Sequence, residues 1–258
     1  MTELSPELFK NIQSAANIIR QSKETVVLTG AGISTPSGIP DFRSTDNGLW
    51  ERYDPFEVAS LSAFRYKPER FFEWMRPLAS GMFDAKPNPA HTGLAMLEQA
   101  GYINTIITQN IDSLHQRAGS RNVIEIHGSL ETLTCVGCFR QYGSGDFIES
   151  YLYAGLIPKC PDCQNILKPD VILMGEQLPV EAWLKANEAC NLCDLMIVAG
   201  SSLEVVPVAS LPMRVVDNGA HLIIINHSET YINVRADVVF MQDVAEIIPL
   251  IANEVLGE

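Results

Sequence analysis

The stretch Thr25-Val26-Val27-Leu28-Thr29-Gly30-Ala31-Gly32-Ile33-Ser34 decides the fold. Its first five residues are β-branched or apolar, the pattern of a strand buried on both faces, and such strands belong to parallel sheets. The run ends in two glycines spaced like the first two of a dinucleotide-binding turn. There a missing Cβ permits a tight bend and lets backbone N–H groups approach a pyrophosphate. Thr35 stands in place of a third glycine, so the glycines alone fit an ordinary strand-to-helix turn better than a nucleotide site. Just downstream, Ser37-Gly38-Ile39-Pro40-Asp41-Phe42-Arg43 supplies an acidic, an aromatic and a basic side chain in succession.

Other strand-like runs carry polar residues at their carboxyl ends in the same way. Thr105-Ile106-Ile107 leads into Thr108-Gln109-Asn110-Ile111-Asp112-Ser113-Leu114-His115. Val123-Ile124-Glu125-Ile126 ends in His127-Gly128-Ser129, and Leu195-Met196-Ile197-Val198-Ala199 ends in Gly200-Ser201-Ser202. Apolar runs recur near Val26, Ile106, Val123, Val171, Met196, Ile223 and Val238, with helix-like stretches at 89–99, 180–191 and 244–255. An opening helix is marked by Ser5-Pro6 as cap and first turn, with Leu8, Ile12, Ala15 and Ile19 on one face. The expected fold is α/β: a doubly wound, mostly parallel Rossmann-like sheet, with ligands at the carboxyl ends of its strands.

Two stretches interrupt the pattern, 41–85 and 133–168. The expected division is a Rossmann-like domain from 1–40, 86–132 and 169–258, and a smaller inserted zinc-binding and helical domain from a helical module (41–85) and a zinc-ribbon module (133–168). A cleft between them is a natural meeting place for two substrates. Phe64, Tyr66, Phe71, Phe72 and Trp74 read as core of the helical module.

The chain of 258 residues is 47% hydrophobic, enough for one large domain with a smaller insertion. Its 18 Lys and Arg against 31 Asp and Glu give a net charge of −13, which repels nucleic acid and suits a basic protein or peptide partner. No apolar run has the length of a membrane span, and the first residues lack the pattern of a secretory signal, so the expectation is a cytoplasmic protein, with a monomer favoured. In a reducing compartment six cysteines point to metal or free thiols rather than disulfides. Cys135-x-x-Cys138 and Cys160-x-x-Cys163 form a four-thiolate pattern for structural Zn2+; the alternative is four unrelated buried thiols. Cys190-x-x-Cys193, at the end of a helical stretch, reads as two half-buried helix-face cysteines without a metal.

Read together, GAGIS at 30–34, SGIPDFR at 37–43, TQNID at 108–112, HG at 127–128 and the two CxxC pairs resemble the sirtuin family of NAD-dependent protein deacylases. The loop from Gly200 to Val205-Val206-Pro207 and the INxxxT stretch holding Asn226 and Thr230 extend the resemblance across 30–243. It implies protein-lysine deacetylation with NAD as co-substrate. The acyl-lysine carbonyl oxygen attacks as the bond between nicotinamide and ribose breaks; nicotinamide is released and the acetyl group passes to ADP-ribose. His127 is the candidate base, because imidazole titrates near neutrality and sits at a strand end facing the cleft. Seen in isolation it reads as a core-edge histidine satisfied by a backbone carbonyl. His91, His115, His221 and His227 read as structural or exposed.

By the same resemblance, Asn110 and Asp112 hold the nicotinamide amide and ribose, Gln109 the ribose hydroxyls, and Gly30, Ala31, Gly32, Ser34 and Arg43 lie near the phosphates. Phe42 covers the anomeric carbon, while Asp41 either caps a turn or acts directly. Gly200, Ser201 and Ser202 make a second phosphate or ribose contact. Asn226 binds the adenosine ribose, and Asp243 approaches adenine; its other reading, a cap for the last helix, does not exclude backbone contact with adenine. An acetylated protein or peptide lysine enters between 171–176 and 203–206, touching Ile172, Met174, Gly175, Glu176, Leu203 and Val205 by strand addition to two extended edges. Met174 stands where the family usually has Phe. Members that prefer acidic acyl groups carry Tyr and Arg where this chain has Met75 and Leu78, which implies neutral acyl groups; Arg76, one position away, weakens that inference. The competing readings are protein ADP-ribosylation, a non-catalytic zinc and nucleotide interaction module, and a hydride-transferring dehydrogenase.

Overall fold

The computed structural model describes residues 5–41 and 53–257. Its centre is a six-stranded sheet whose neighbours all run parallel, in the order β3-β2-β1-β7-β8-β9. In chain order these strands are β1 (Thr25–Thr29), β2 (Thr105–Thr108), β3 (Val123–Glu125), β7 (Leu195–Ala199), β8 (His221–Ile225) and β9 (Val238–Phe240). Every residue of β1, β2 and β7 is buried, as strands covered on both faces must be. One face packs on α1 (Pro6–Gln21), α5 (Pro89–Gln99) and α10 (Val244–Leu256), through Ile12, Ile19, Leu94, Ile247 and Ile251. The other packs on α8 (Val180–Leu192) and α9 (Leu211–Asp217), through Ala186, Leu211 and Val215. Strand order reverses around β1, so the crevice for a ligand opens at the carboxyl ends of β1, β2 and β7.

A second sheet, β5-β4-β6, is antiparallel and built from β4 (Gly128–Cys135), β5 (Gln141–Gly143) and β6 (Leu167–Val171). The apolar run near Val171, expected in the parallel sheet, is not there: Val171 ends β6, and Ile172 to Met174 lie beyond it. The physical signature of β6 is alternation: Leu167, Pro169 and Val171 are buried while Lys168 and Asp170 are half-exposed, the mark of a strand covered on one face. β4 starts at Gly128, whose φ of +78 and lack of a Cβ let it pass against the Asp170 carbonyl.

The helical segment consists of α2 (Pro55–Val58), α3 (Leu61–Tyr66) and α4 (Pro68–Asp84). Phe64, Phe71 and Phe72 stack edge to face, with Phe64–Phe71 and Phe71–Phe72 centroids both 5.2 Å apart. Phe72 meets Tyr151 of α7 (Gly145–Ala154) at 5.5 Å, and the Tyr151 hydroxyl donates to the Phe72 carbonyl at 2.6 Å. Tyr66 departs from expectation: at the last turn of α3 it faces solvent, 81% exposed. Among the described residues no helix is long and apolar enough to cross a membrane.

Two histidines are buried under the sheet edge. His91 of α5 and His115 of α6 (Leu114–Ala118) pack with ring centroids 4.9 Å apart, and His115 Nε2 lies 3.0 Å from the Thr29 hydroxyl at the end of β1. Burial pushes the His91 ring down to about 4 and, with the neighbouring His91 adding to the effect, the His115 ring to about 3. Both are neutral in the fold, whereas the unfolded chain takes up their protons below 6.5, so stability falls as pH drops from 6.5 toward these values. We expect a loss of about 2 kcal/mol per histidine by pH 4.5. Urea unfolding across pH checks this: replacing His91 by Gln should lower the acid slope by close to one proton, and an unchanged slope would contradict it.

Candidate active site

The site begins where two strand ends touch. Beyond β1, the Gly32 N–H donates to the Gly200 carbonyl at 2.9 Å, and the Gly30 N–H reaches the Ala199 carbonyl at 3.3 Å. A Cβ on Gly30 or Gly32 would lie 2.8 or 2.9 Å from the Gly200 oxygen, and Gly200 itself has φ +63. These glycines therefore let two backbone turns approach each other, and the N–H groups of all three are engaged within the protein. This close approach brings the polar ends of β1, β2 and β7 into one cluster.

Within the cluster, the Ser34 hydroxyl donates to Asp112 Oδ2 at 2.6 Å, and Leu114 N–H donates to Asp112 Oδ1 at 2.9 Å. Asn110 Nδ2 donates to Ser34 Oγ at 3.0 Å and to the Gly30 carbonyl at 3.1 Å, leaving its own carbonyl for a ligand amide. Gln109 Nε2 donates to Ser201 Oγ at 2.9 Å. Burial pushes the Asp112 carboxyl above its ordinary value, while the bonds from Ser34 and Leu114 and the Arg117 charge pull the other way. His127 Nδ1 lies 3.1 Å from the Gln109 carbonyl. A carbonyl only accepts, so Nδ1 carries the proton and Nε2 keeps its lone pair. Burial lowers the His127 pKa below 6.5, opposed by that hydrogen bond, which leaves a neutral ring at pH 7.

Ala31, Ser34, Gln109, Asn110, Asp112 and His127 line a cavity of about 870 Å³. Its other walls are mostly apolar, with Trp74, Met75, Leu78 and Met82 of α4 and the stretch Val171 to Met174, followed by Gly175 and Glu176. Arg76 is not among the lining residues; its guanidinium lies against Gly155 at the end of α7. The chamber beside Met75 and Leu78 therefore has no cation from that position.

Other expected residues are scattered around this centre. Asn226 is buried at the end of β8, with its amide on the Ser228 carbonyl at 2.9 Å, and Ser202 is exposed beside Ser201. Asp243 caps α10: its Oδ1 accepts the Ala245 N–H at 2.7 Å. Asp41 is half-buried; Phe42 and Arg43 lie outside the described residues. Of the expected peptide contacts, Ile172, Met174, Gly175, Glu176 and Val205 line the cavity. Leu203 does not: with φ +55 it turns down into the core and is 5% exposed. Nor is 171–176 an open strand edge. Ile172 N–H is bound to the His127 carbonyl and Met174 N–H to the Ala59 carbonyl, both at 2.9 Å, and 173–176 is a turn with Gly175 at φ +85.

Asn88 has a role that its sequence position does not announce. It caps α5 through the Ala90 N–H, and its Nδ2 donates to the Ile33 carbonyl at 2.8 Å and Ser37 Oγ at 2.9 Å, pinning the loop that carries Ser34. The only signal for it was Asn before Pro89, an N-cap pattern.

Away from the cavity, the sulfurs of Cys135, Cys138, Cys160 and Cys163 all lie within 4.8 Å of one another. The Cys135–Cys163 and Cys138–Cys160 pairs are 3.4 and 3.7 Å apart. Bonds of about 2.3 Å to a tetrahedral zinc would separate the sulfurs by roughly 3.8 Å, so the cluster fits the ion. The N–H groups of Gly137 and Cys138 lie 3.4 Å from Cys135 Sγ, as suits a thiolate. Cys190 and Cys193 are not half-buried as expected but 1% and 8% exposed, and burial raises their thiols to about 12 and about 11, so both are inert at neutral pH.

The family model for Sir2 proteins matches residues 30–207. The chain belongs to the Sir2 family. A relative named NAD-dependent protein deacylase 2, from Archaeoglobus fulgidus, is 46% identical over 245 residues, covering 95% of this chain and 96% of the relative. A solved Sir2 structure with a p53 peptide and NAD+ superposes with a TM-score of 0.87 at 40% identity, over 96% of this chain and 99% of that one. Another Sir2 protein, bound to a myristoylated histone peptide, gives 0.82 at 39% identity, over 96% and 97%.

A closed four-thiolate site makes a clear prediction for this Sir2 chain. Metal analysis should find a single zinc ion per chain, which Cys160→Ser removes, together with ordered structure in the β4–β6 sheet as seen by amide exchange. Cys190→Ser should keep the zinc. Equal zinc in both variants would contradict the assignment.

Proposed function

We propose that this protein is an NAD-dependent protein-lysine deacetylase that transfers the acetyl group to ADP-ribose and releases nicotinamide. The observation that carries this reading is one cavity with two characters: the Asn110–Ser34–Asp112 cluster and the bare Nε2 of His127 on its polar side, and an apolar lining of Met75, Leu78, Met82 and Met174 on the other. A dehydrogenase has no use for that lining, and an interaction module has none for a neutral, oriented imidazole.

NAD supplies the ribosyl electrophile and the nicotinamide leaving group. Asn110 offers its free carbonyl to an amide, and Asp112, held by Ser34 and Leu114, fixes the polar wall. His127 takes a hydroxyl proton at Nε2 while the Gln109 carbonyl holds Nδ1–H and steadies the developing imidazolium. The apolar walls exclude water. Gly200, Ser201, Ser202 and Asn226 extend the site toward the adenosine end, and Zn2+ on the four cysteines braces the small domain (41–85 and 133–168) against the larger one. The partner is an acylated lysine on a basic, cytoplasmic protein, in keeping with the net charge of −13.

Incubation with NAD and an acetyl-lysine peptide tests the reading: both should disappear in equal amounts, with nicotinamide and O-acetyl-ADP-ribose formed. His127→Ala should lower kcat by about 100-fold or more yet spare NAD binding. Because the ring must be neutral to act and its pKa lies below 6.5, kcat/KM should be flat at neutral pH and fall on the acid side. Equal turnover in the variant, or ADP-ribose left on protein, would contradict the proposal.

The chamber walls also set acyl preference. With Met75, Leu78 and Met82 exposed to the cavity and Arg76 turned away, neutral acyl groups fit, including chains longer than acetyl. A succinyl group would bury a carboxylate without a partner, so its kcat/KM should be roughly 100-fold below that of acetyl. A steady-state comparison of acetyl, butyryl, myristoyl and succinyl peptides checks this, and efficient removal of succinyl would contradict it.

A further inference from the structure

Lys168 and Glu176 stand at the two ends of the segment that walls the cavity. Lys168 Nζ lies 3.0 Å from Glu176 Oε2, and the two side chains are only 17% and 18% exposed. The same Glu176 oxygen accepts the Leu173 N–H at 2.8 Å, and Glu176 N–H returns to the Leu173 carbonyl at 2.9 Å. Lys168 Nζ also donates to the carbonyls of Val171 at 2.8 Å and Pro169 at 3.2 Å. One ammonium and one carboxylate thus tie strand β6 to the turn at 173–176. Lys168 does not line the cavity, whereas Val171, Ile172, Leu173, Met174, Gly175 and Glu176 do.

A pair on an open surface contributes about 0–1 kcal/mol and is screened by salt. This one is largely withdrawn from solvent, the ammonium's other two protons go to backbone carbonyls, and the carboxylate oxygen it meets also accepts the Leu173 N–H, the kind of added bonding with which a shielded pair fixes geometry. The wall has two further anchors, from Ile172 N–H to the His127 carbonyl and from Met174 N–H to the Ala59 carbonyl. Neither involves the pair, so breaking it loosens the turn at 173–176 without unseating the segment. Lys168 also sits opposite Thr134 in the β4–β6 register, one residue from the metal ligand Cys135, which links the wall to the zinc-bearing sheet.

We propose that Lys168 is a positioning residue for acyl-lysine recognition, acting through Glu176 to hold the 171–176 wall in its substrate-binding shape. Glu176, expected as a direct peptide contact, lines the cavity while its Oε2 turns back onto Leu173 N–H and Lys168, so the residue that faces the peptide is itself held by the pair. This rests on the deacylase reading of the cavity.

Steady-state kinetics of Lys168→Met, Glu176→Gln, the double variant and Lys168→Arg test the proposal. Each single variant should raise the KM for acetyl peptide on the order of tenfold, and the double no more than either single, as expected within one network. The KM for NAD should change by less than about twofold and the melting temperature by no more than a few degrees, with Lys168→Arg recovering most of the peptide affinity. Additive effects, an unchanged peptide KM, or a parallel rise in the KM for NAD would overturn the proposal. Amide exchange at Leu173 separates the two claims: Lys168→Met should speed it whatever the wild-type turnover. Unchanged exchange overturns the clamp, whereas a wild-type protein without turnover but with faster exchange in the variant overturns the deacylase reading.

Discussion

Everything at the site depends on how closely two backbone turns approach at the centre of the sheet. Gly32 donates to the Gly200 carbonyl at 2.9 Å across a gap too narrow for a Cβ on either side. That contact sets the ends of β1 and β7 side by side, with β2 paired to β1 at Thr29 and Thr108. Gln109 can then reach Ser201, and Asn110 can reach Gly30 and Ser34. The polar cluster is thus a product of sheet topology: residues distant in sequence meet because parallel strands end on the same edge.

Burial acts on Asp112 and His127, the two ionisable groups of the polar cluster, in ways that support each other. It raises Asp112 and lowers His127, in each case disfavouring charge in a poorly hydrated space. Asp112 is kept useful by four opposing influences, the Ser34 hydroxyl, the Leu114 N–H, the Arg117 charge and its own backbone N–H. His127 has one, the Gln109 carbonyl. A base needs its lone pair free at working pH and a partner ready for the charge it will gain; the imidazole here has both. The apolar half of the cavity then supplies what a polar cluster cannot, a water-poor place for an acyl-lysine stem.

The amino-acid sequence made much of this legible. Unbroken apolar runs such as Val26-Val27-Leu28 and Met196-Ile197-Val198 reported strands covered on both faces, and the cysteine spacing reported a cluster that the sulfur distances fit. What it hid lay in alternation, local φ and tertiary reach. Leu167 to Val171 alternates in burial and joins the antiparallel sheet, although the apolar run that starts at Val171 suggests a parallel strand. Leu203 sits in a run that reads as extended, yet its positive φ drives it inward. Tyr66 shares the aromatic spacing of its neighbours but falls on the solvent side of a short helix. The close contact that Gly30 and Gly32 make with Gly200 is a tertiary one that their spacing does not announce, and the bonds of Asn88 to Ile33 and Ser37 form only once distant segments are folded together.

The claim at the centre is that the Gln109 carbonyl fixes His127 as a neutral ring with its proton on Nδ1 and an open Nε2 toward the cavity. Nitrogen-15 NMR of the labelled imidazole at pH 7 reads this directly. The account predicts a protonated Nδ1 and a bare Nε2 for His127; a ring with its proton on Nε2, or an imidazolium at that pH, would contradict it.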